Sequence, residues 1–301
     1  MPVGFVHWAG GKGRQLNDLL PLIPTTRIYC EPFGGGGSVL LNRPRSEIEV
    51  YNDLDRELVN LFTVVRDDES YLAFRRRVAL IPYSRTEFER SLAFDECADP
   101  VDRAVSFYTV LNQSVSGKRL AGPGDWSRNR TINNADSWFS RQEGLVAVHE
   151  RIKRVQLECR DRLDIIKEWD GPDTTFYLDP PYILDTRGRN KYYAVEPGDD
   201  FHKDLVTVLL AVAGNVVLSG YFHPFYAPLV RAGWRTDTYR QQTTMDIAQS
   251  FEGTSRRRVE VVYRNPRACE YSLMRPLFTL VDSRSVEGGS DAKGTVDSST
   301  V

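Results

Sequence analysis

An apolar run in the second half of the chain ends in a cluster of groups that accept hydrogen bonds. Phe176–Leu178 is followed by Asp179, Pro180, Pro181 and Tyr182. Because both prolines have a fixed φ and carry no N–H, their carbonyls and the Asp179 carboxylate form a cluster of acceptors. Such a cluster suits an exocyclic amine, which has two hydrogens to donate, and the ring of Tyr182 offers a stacking face to a planar base. The alternative is a turn at a sheet edge where a tyrosine stands by chance.

A run of glycines follows an earlier candidate strand. Glu31-Pro32-Phe33 precedes Gly34–Gly37, and Ser38 then opens a candidate helix. Glycines let backbone amides come against a ligand and tolerate a positive φ. Asp53 lies 18 residues after Gly35, at the end of the next candidate strand, where a carboxylate can accept hydrogen bonds from ribose hydroxyls. The pattern favours a turn that binds a nucleoside over a tight turn that holds no ligand.

The glycine spacing also discriminates between nucleotide ligands. A Rossmann dinucleotide site needs G-x-G-x-x-G, whose third glycine lets the helix pack close to a pyrophosphate. Counted from Gly35 the sixth position is Leu40, and counted from Gly34 it is Val39. A nucleoside ligand without a pyrophosphate therefore fits better, and S-adenosylmethionine is one such ligand. A dehydrogenase is disfavoured for the same reason.

A third group of residues stands near the N-terminus. Trp8, Ala9, Gly10, Gly11 and Lys12 follow one another. An aromatic ring, two glycines and a lysine suit a loop that approaches a ligand closely and offers it a positive charge. The alternative is a solvent-exposed turn.

The elements around these motifs alternate between strand and helix. Arg27–Glu31 and Ile48–Tyr51 are short candidate strands, and Leu54–Val65 has apolar residues at helical spacing. The β-rich pattern returns later in the chain at Val155–Cys159, Thr175–Leu178, Val216–Leu218 and Val259–Tyr263. Strand, glycine turn, helix, strand, acid and helix in this order predict a doubly wound α/β sheet of the Rossmann-like type.

The α/β alternation is interrupted in the middle of the chain. Charged residues dominate Arg66–Asp102 at helical spacing, and a turn-rich stretch runs from Asn112 to Asn134. The alternation then resumes at Val155. A mostly helical insert is therefore expected within the α/β domain.

These changes in pattern predict the domain organisation. We expect one α/β domain made of residues 1–65 and 151–282, whose two parts pack into a single sheet, and an insert of residues 66–150. Residues 283–301 are almost all small or polar. Because they lack the apolar content needed to fold, we expect them to form a disordered tail.

Composition restricts how the chain can contact nucleic acid. The 301 residues carry a formal net charge of −2, with 41% hydrophobic and 27% charged residues, so no global positive field indicates such a partner. Any contact with DNA must use local basic clusters. The insert contains such a basic cluster, whose side chains suit contacts with phosphates and base edges. Its members are Lys118, Arg119, Arg128 and Arg130. The alternative for this cluster is a solvated loop, and Arg256–Arg258 is equally compatible with phosphate contacts and an exposed strand edge.

The cysteines and the apolar segments indicate a reducing, aqueous compartment. The four cysteines are far apart and have no histidine at ligand spacing, so free thiols and no metal site are expected. Gly214-Asn215 cuts the longest apolar stretch into halves too short to cross a bilayer. The N-terminus has neither the basic nor the apolar region of a signal peptide. We therefore expect a cytoplasmic protein that does not bind a membrane.

Taken together, the motifs resemble those of the Dam-type DNA adenine methylases, which are specific for the N6 position. W-A-G-G-K, E-P-F-x-G-x-G-S, an N-D acidic turn and D-P-P-Y occur here in that family's order, over roughly residues 5–65 and 155–265. The resemblance implies the methyltransferase-type fold, S-adenosylmethionine as methyl donor, no metal, and a target-recognition insert between the cofactor and catalytic motifs. The reaction it implies is methylation of the 6-amino group of an adenine flipped out of double-stranded DNA.

The resemblance also assigns roles to the residues that match its motifs. Catalytic roles are expected for Asp179, Pro180, Pro181 and Tyr182. Asp161, in Cys159-Arg160-Asp161, is the acid expected to meet the adenine of the cofactor. The full set of expected cofactor contacts is Trp8, Gly10, Gly11, Lys12, Phe33, Gly35, Gly37, Asp53 and Asp161.

The insert departs from the family's pattern. At Leu111–Arg119 this chain lacks the aromatic-Asn-Gly stretch of the best-known members, so their target sequence cannot be carried over. A methyltransferase of the same fold acting on RNA, on cytosine or on a protein amide is an alternative that Ser or Asn at position 179 would favour. An inactive DNA-binding homologue would be indicated by the loss of Asp179 or of the glycines. The expected partners are double-stranded DNA and, within a restriction–modification pair, a cognate restriction endonuclease.

Overall fold

Residues 3–93, 98–117, 121–183, 199–240 and 259–274 are described by a computed structural model. Within them, seven strands form one sheet. In chain order they are β1 (Ile28–Glu31), β2 (Ile48–Asn52), β3 (Val155–Glu158), β4 (Thr174–Leu178), β5 (Asn215–Tyr221), β6 (Arg235–Arg240) and β7 (Val259–Arg264).

The helices of the described residues lie mainly between β2 and β3 and beside the sheet. The α-helices are α1 (Leu16–Leu19), α2 (Ser38–Asn42), α3 (Arg56–Arg66), α4 (Asp68–Ala79), α5 (Arg85–Leu92), α6 (Pro100–Gln113), α7 (Asn134–Ile152), α8 (Arg162–Trp169), α9 (Asp199–Ala211), α10 (Ala227–Arg231) and α11 (Pro266–Met274). Short 3-10 turns occur at Lys12–Arg14, Leu20–Leu22, Val115–Gly117, Pro123–Asp125 and Pro224–Tyr226.

The strand order is β3-β2-β1-β4-β5-β7-β6. Strands β1 to β5 are parallel, with Cys30 of β1 in register with Val50 of β2 and Phe176 of β4, whereas β7 is antiparallel to both β5 and β6. The chain winds outward from β1 in one direction and from β4 in the other. Ligands of open α/β sheets bind at the carboxyl ends of the strands where this direction reverses. The predicted doubly wound sheet is confirmed, and its reversal point brings the glycine turn beside Asp179.

The edge strand β6 is not predicted from the sequence. Its run Arg-Thr-Asp-Thr-Tyr-Arg is polar, so it lacks the alternation of a half-buried strand. It forms because β7, a strand of apolar residues, offers it a complete antiparallel register from Arg235–Arg264 to Arg240–Val259. The remaining six strands agree with their predicted positions to within a few residues.

Both faces of the sheet are covered by helices. One apolar cluster includes Ile165 of α8, Leu205 of α9 and Phe176 of β4. The other joins β1 and β2 to the helices between residues 56 and 152. Trp138 of α7 and Tyr108 of α6 are fully buried in this second cluster, so the helices of the insert share a continuous core with the sheet.

A buried ion pair also ties the end of the insert to the sheet. Arg151, in the last turn of α7, donates to both carboxylate oxygens of Glu49 in β2 and to the Leu40 carbonyl. Arg43 lies 3.2 Å from the same carboxylate. The two-pronged geometry of the guanidinium suits a carboxylate and fixes where the chain returns to β3. No helix in the described part of the chain is long and apolar enough to cross a membrane.

The close approach of the glycine turn to the core generates a first prediction. A Cβ on Gly34 would lie 2.1 Å from the ring of Tyr51, which is fully buried and stacked on Phe62 at 4.3 Å between ring centroids. Because this ring has no room to move, Gly34→Ala should destabilise the protein by at least about 1–3 kcal/mol, the usual cost of overpacking. Thermal and urea unfolding will measure it.

The matched control is Gly171→Ala, where an added Cβ meets no atom within 4 Å. This substitution should leave the melting temperature within about a degree of wild type, because surface changes of this kind are within about 0.5 kcal/mol. An unchanged midpoint for Gly34→Ala would show that the turn can shift away from Tyr51.

Candidate active site

The carboxyl ends of β1 and β4 open onto a cleft of about 870 Å³, counted with the open solvent at its mouth. Three segments that are distant in the sequence form its walls: the N-terminal loop, the glycine turn after β1, and the residues that follow β4. The structure here brings together most of the residues predicted for a site. Of these, the cleft is lined by Trp8, Gly10, Gly11, Lys12, Phe33, Gly35, Gly37, Asp53, Asp179 and Pro181.

The glycine turn adopts a backbone that side chains would hinder. Gly35 and Gly37 have φ values of 49° and 67°, in the left-handed region that favours glycine. Trp8 packs against the same turn, so that a Cβ on Gly35 would lie 2.8 Å from the Trp8 Nε1 atom. The N-terminal loop and the glycine turn therefore form one surface against which a ligand can lie closely.

Asp53 lies at the edge of this surface. One of its carboxylate oxygens accepts a hydrogen bond from the Gly35 N–H at 2.9 Å, and the other accepts from the Asp55 N–H at 2.8 Å. Burial raises the pKa of Asp53 above its ordinary value, and these backbone hydrogen bonds oppose the rise. Because each carboxylate oxygen has a second lone pair, Asp53 can hold the turn and still accept hydrogen bonds from a ligand's hydroxyls.

Lys12 and Asp179 form an ion pair in the wall of the cleft. The Lys12 Nζ atom lies 2.7 Å and 2.6 Å from the two carboxylate oxygens of Asp179, and 3.0 Å from the hydroxyl of Tyr182. It also lies 3.2 Å from Glu260 Oε1, and the Tyr182 hydroxyl donates to that same oxygen. One ammonium therefore stands between two carboxylates.

This ion pair controls the charge of Asp179. Burial raises the pKa of Asp179 above its ordinary value, the charge of Lys12 lowers it, and the charge of Glu260 raises it further. The side chain of Lys12 is 4% exposed and that of Asp179 is 21% exposed. The carboxylate thus meets the open cleft on one side and the ammonium on the other.

A smaller hollow lies on the other side of the D-P-P-Y segment. It is a shallow depression without room for an enclosed water molecule, and it is lined by Tyr182, Ile183, Gly220, Tyr221, His223 and Tyr226. The rings of Tyr182 and Tyr221 meet edge to face with centroids 4.5 Å apart. Asp179 lines the large cleft and Tyr182 lines the hollow, so this segment separates two cavities.

Asp161, expected to meet the adenine of the cofactor, is not among the described residues that line the cleft. It caps α8, where its carboxylate accepts from the Leu163 N–H at 2.8 Å, and the residue that lines the cleft is its neighbour Arg162. The Arg162 guanidinium lies 4.6 Å from the ring centroid of Phe201 and 5.4 Å from that of Phe33. The cleft is therefore lined by the cationic Arg162 and the aromatic Phe33 next to the position where the sequence predicts an acid.

Two acids, one in the lining of the cleft and one beside Lys12, are not predicted as site residues either. Glu31 ends β1 and lines the cleft. Its position directly before the glycine turn is the sequence feature by which it could have been predicted as a site residue. Glu260 gives no such signal because it is a single acid among the apolar residues of β7. It reaches the site because β7 runs antiparallel to β5, which sets Glu260 opposite Tyr221 at the carboxyl end of β5.

The predicted DNA-binding residues fall in two groups. Arg128 and Arg130 are exposed in the loop that leads to α7. Lys118 and Arg119 lie outside the described residues, as do Arg256–Arg258 and the expected tail, residues 283–301.

Comparison with known proteins identifies the family. Over residues 8–227 the sequence matches the family described as D12 class N6 adenine-specific DNA methyltransferase. The chain belongs to this family. The resemblance found in its motifs is thereby confirmed, and the seven-stranded sheet is the methyltransferase fold that the family implies.

Among its relatives, this D12 class protein is similar to DNA adenine methylases. It is 28% identical to the DNA adenine methylase of Salmonella typhi over 183 residues, which are 59% of this chain and 64% of that protein. It is 25% identical to that of Vibrio cholerae over 216 residues, 69% and 75% of the two chains. The Type II methyltransferase M.MjaIII of Methanocaldococcus jannaschii is 26% identical over 200 residues, 59% and 68% of the two chains. The chain thus spans just under two thirds of the Salmonella relative.

The buried Glu31 generates a prediction about pH and stability. Burial raises the pKa of Glu31 from an ordinary 4.5 to about 8, against the opposing effects of a hydrogen bond from Tyr29 and the charge of Arg43. Between these two values the unfolded chain releases a proton that the folded chain keeps, so the stability contributed by this group is present at low pH and is lost as pH rises. Glu31→Gln should therefore gain in melting temperature over wild type as pH rises from 5 to 8.

The comparison requires melting curves of both proteins at each pH. Glu47→Gln, which removes an exposed glutamate directly before β2, is the control. A difference between Glu31→Gln and wild type that stays constant from pH 5 to pH 8 would show that Glu31 is ionised throughout this range.

Proposed function

We propose that this chain transfers a methyl group from S-adenosylmethionine to the 6-amino group of an adenine in double-stranded DNA. The observation that carries the proposal is the Asp179 carboxylate, which lines the cleft and holds a nitrogen donor, the Lys12 ammonium, 2.6–2.7 Å from both of its oxygens. A group that binds one nitrogen donor in this way is suited to bind the amine of a base. Membership of an adenine-specific family supports adenine as that base.

The large cleft suits the methyl donor. Asp53 can accept hydrogen bonds from ribose hydroxyls, the glycine turn allows close approach of backbone amides, and Phe33 with Arg162 offers a flat wall to an adenine ring. The cleft is large enough for one nucleoside with its amino-acid arm. The chemistry that S-adenosylmethionine supplies when bound is an electrophilic methyl group on a sulfonium, which is already a good leaving group.

The residues of the chain would orient the target amine. Asp179 and the carbonyl of Pro180 would accept its two hydrogens, which holds the nitrogen lone pair toward the methyl group and out of conjugation with the ring. The target base must leave the duplex to arrive there, and the ring of Tyr182 would stack on it. Positioning of this kind can lower a barrier by roughly 7–11 kcal/mol, so no covalent nucleophile is required.

The insert, residues 66–150, would contact the DNA target. Arg128 and Arg130 are exposed and carry positive charge next to α7, which suits phosphate contacts. The proposal includes Lys118 and Arg119 from the same basic stretch of sequence. The catalytic domain, residues 1–65 and 151–282, would then hold the cofactor and the flipped base.

The proposal is tested first by direct mapping of modified bases. The chain is expressed in a host that lacks DNA methylation, and its DNA is sequenced by a method that detects N6-methyladenine. We expect methylated adenines in one sequence context. The negative control is Asp179→Ala, expressed at the same level as the wild type. DNA without methylated adenines from cells that contain the folded wild-type protein would refute the proposal.

The catalytic segment generates a quantitative prediction. Asp179→Ala removes an acceptor of the target amine and leaves the glycine turn and Asp53 in place, so the single-turnover rate should fall by about 100-fold or more. Cofactor affinity, measured by calorimetry, should stay within a few-fold of wild type. Near wild-type methylation by Asp179→Ala would show that this carboxylate does not orient the amine.

Tyr182 provides the matched pair of variants. Tyr182→Phe keeps the stacking face and should keep much of the activity, although it loses the hydroxyl that meets Lys12 and Glu260. Tyr182→Ala removes the ring, which is worth about 1–3 kcal/mol for a stacked base. Equal rates in these two variants would exclude stacking by Tyr182.

The exposed arginines give a prediction for DNA binding. Replacing Arg128 and Arg130 with alanine should weaken duplex binding and lower its dependence on log salt by at most about two units of slope, since each lost phosphate contact is worth about 0.9. The control replaces Arg27 and Arg45, which are exposed at the amino ends of β1 and β2, opposite the cleft. A slope that changes equally in both double variants would place the DNA elsewhere.

A further inference from the structure

The Lys12 ammonium occupies the position that a target amine needs. It contacts both oxygens of Asp179, at 2.7 Å and 2.6 Å, and lies 3.0 Å from the hydroxyl of Tyr182. An amine that approaches Asp179 from the cleft finds the carboxylate already held by a donor with a full charge. The base and the ammonium therefore compete for one acceptor, and the ammonium must move before Asp179 can orient the amine.

Moving a buried ammonium is costly unless a second acceptor is at hand. The Lys12 side chain is 4% exposed, and separating a buried charge from its partner costs several kcal/mol. Glu260 supplies such an acceptor. Its Oε1 atom lies 3.2 Å from the Lys12 Nζ atom, and its side chain is 0% exposed.

Glu260 also has capacity that the present arrangement leaves unused. Its Oε2 atom is buried and has no hydrogen-bond partner among the described residues, although a buried carboxylate oxygen normally has one. Its Oε1 atom accepts from the Tyr182 hydroxyl. A short rotation of the Lys12 side chain would satisfy the Oε2 atom and uncover Asp179.

We propose that Glu260 is a positioning residue that takes the Lys12 ammonium from Asp179 when the amine of the target base arrives. The inference rests on the proposed function. The Lys12 side chain then has two positions, one on Asp179 without DNA and one on Glu260 with the base in place. In the second position the ammonium no longer faces the nitrogen that receives the methyl group.

The electrostatics of methyl transfer favour this second position. The amine nitrogen gains positive charge as it receives the methyl group, and an ionised Asp179 next to it stabilises that charge. An ammonium held on Asp179 would oppose the charge at close range. When Lys12 is held on Glu260, the two neutralise each other and Asp179 remains free to act on the amine.

The test measures how much the 6-amino group contributes to binding. Duplexes carry either adenine or purine, which lacks the 6-amino group, at the position found by methylation mapping. Either base stands opposite an abasic site, so that the loss of a Watson–Crick hydrogen bond does not make the purine easier to flip out. Affinities are measured with S-adenosylhomocysteine present so that no transfer occurs. Wild type should prefer adenine by about tenfold or more, the contribution of a hydrogen bond to a charged group. Glu260→Gln should lose this preference to within about twofold, because Lys12 then stays on Asp179.

The double variant distinguishes a positioning role from a structural one. Lys12→Met removes the competing ammonium, so Lys12→Met/Glu260→Gln should regain the preference for adenine that Glu260→Gln loses. If the double variant loses as much preference for adenine as the two single variants combined, the proposal is contradicted. The effects of two residues that act through one another are not additive. Retention of the preference in Glu260→Gln would overturn it equally.

Two further controls keep the outcome unambiguous. Melting curves establish that each variant is folded, and S-adenosylhomocysteine is kept saturating for each variant because Lys12 lines the cofactor cleft. Glu260→Asp replaces Glu260→Gln if the latter does not fold. Its carboxylate is set back by one methylene, so it should show an intermediate loss that Lys12→Met again reverses. A wild-type protein that neither methylates adenine nor prefers it over purine would refute the proposed function, and with it this inference. A wild type that does both, with a Glu260→Gln that matches it, would refute the inference alone.

Discussion

The contact between the Lys12 ammonium and the Asp179 carboxylate is the interaction on which the rest of the site depends. It joins the N-terminal loop to the end of β4, and through Glu260 it joins both to β7. The ammonium and the Glu260 carboxylate are buried and the Asp179 carboxylate is partly buried, and a buried charge without a partner is destabilising. The N-terminal loop, the end of β4 and β7 are therefore held together by the ion pairs of Lys12 with Asp179 and with Glu260.

The sheet explains why these segments meet. The strand order reverses between β1 and β4, so the loops after these two strands diverge and leave a cleft between them. The insert and the sheet share one core through Trp138 and Tyr108, and Arg151 fixes where the chain re-enters the sheet. The long excursion between β2 and β3 is thus packed and anchored against the sheet.

The features that could be predicted from the sequence are those that depend on residues close together in the chain. The positive φ of Gly35 and Gly37 follows from a glycine run after a strand, and the sheet follows from the alternation of strand and helix. Glu260 and Arg162 could not be found in this way. Glu260 joins the site only through the antiparallel pairing of β7 with β5, and Arg162 enters the cleft because its neighbour Asp161 is used to cap α8.

The exchange of one donor for another that we propose would give the site a means of selecting its base. A base with an amino group replaces the ammonium on Asp179 with another donor, so no acceptor is left unpaired. A keto oxygen at the same position would face the carboxylate with an acceptor, which leaves a buried charge unsatisfied and costs far more than a missing contact. The 4-amino group of cytosine can donate to Asp179 as well as the 6-amino group of adenine can. Discrimination between these two bases must therefore come from the size and shape of the ring.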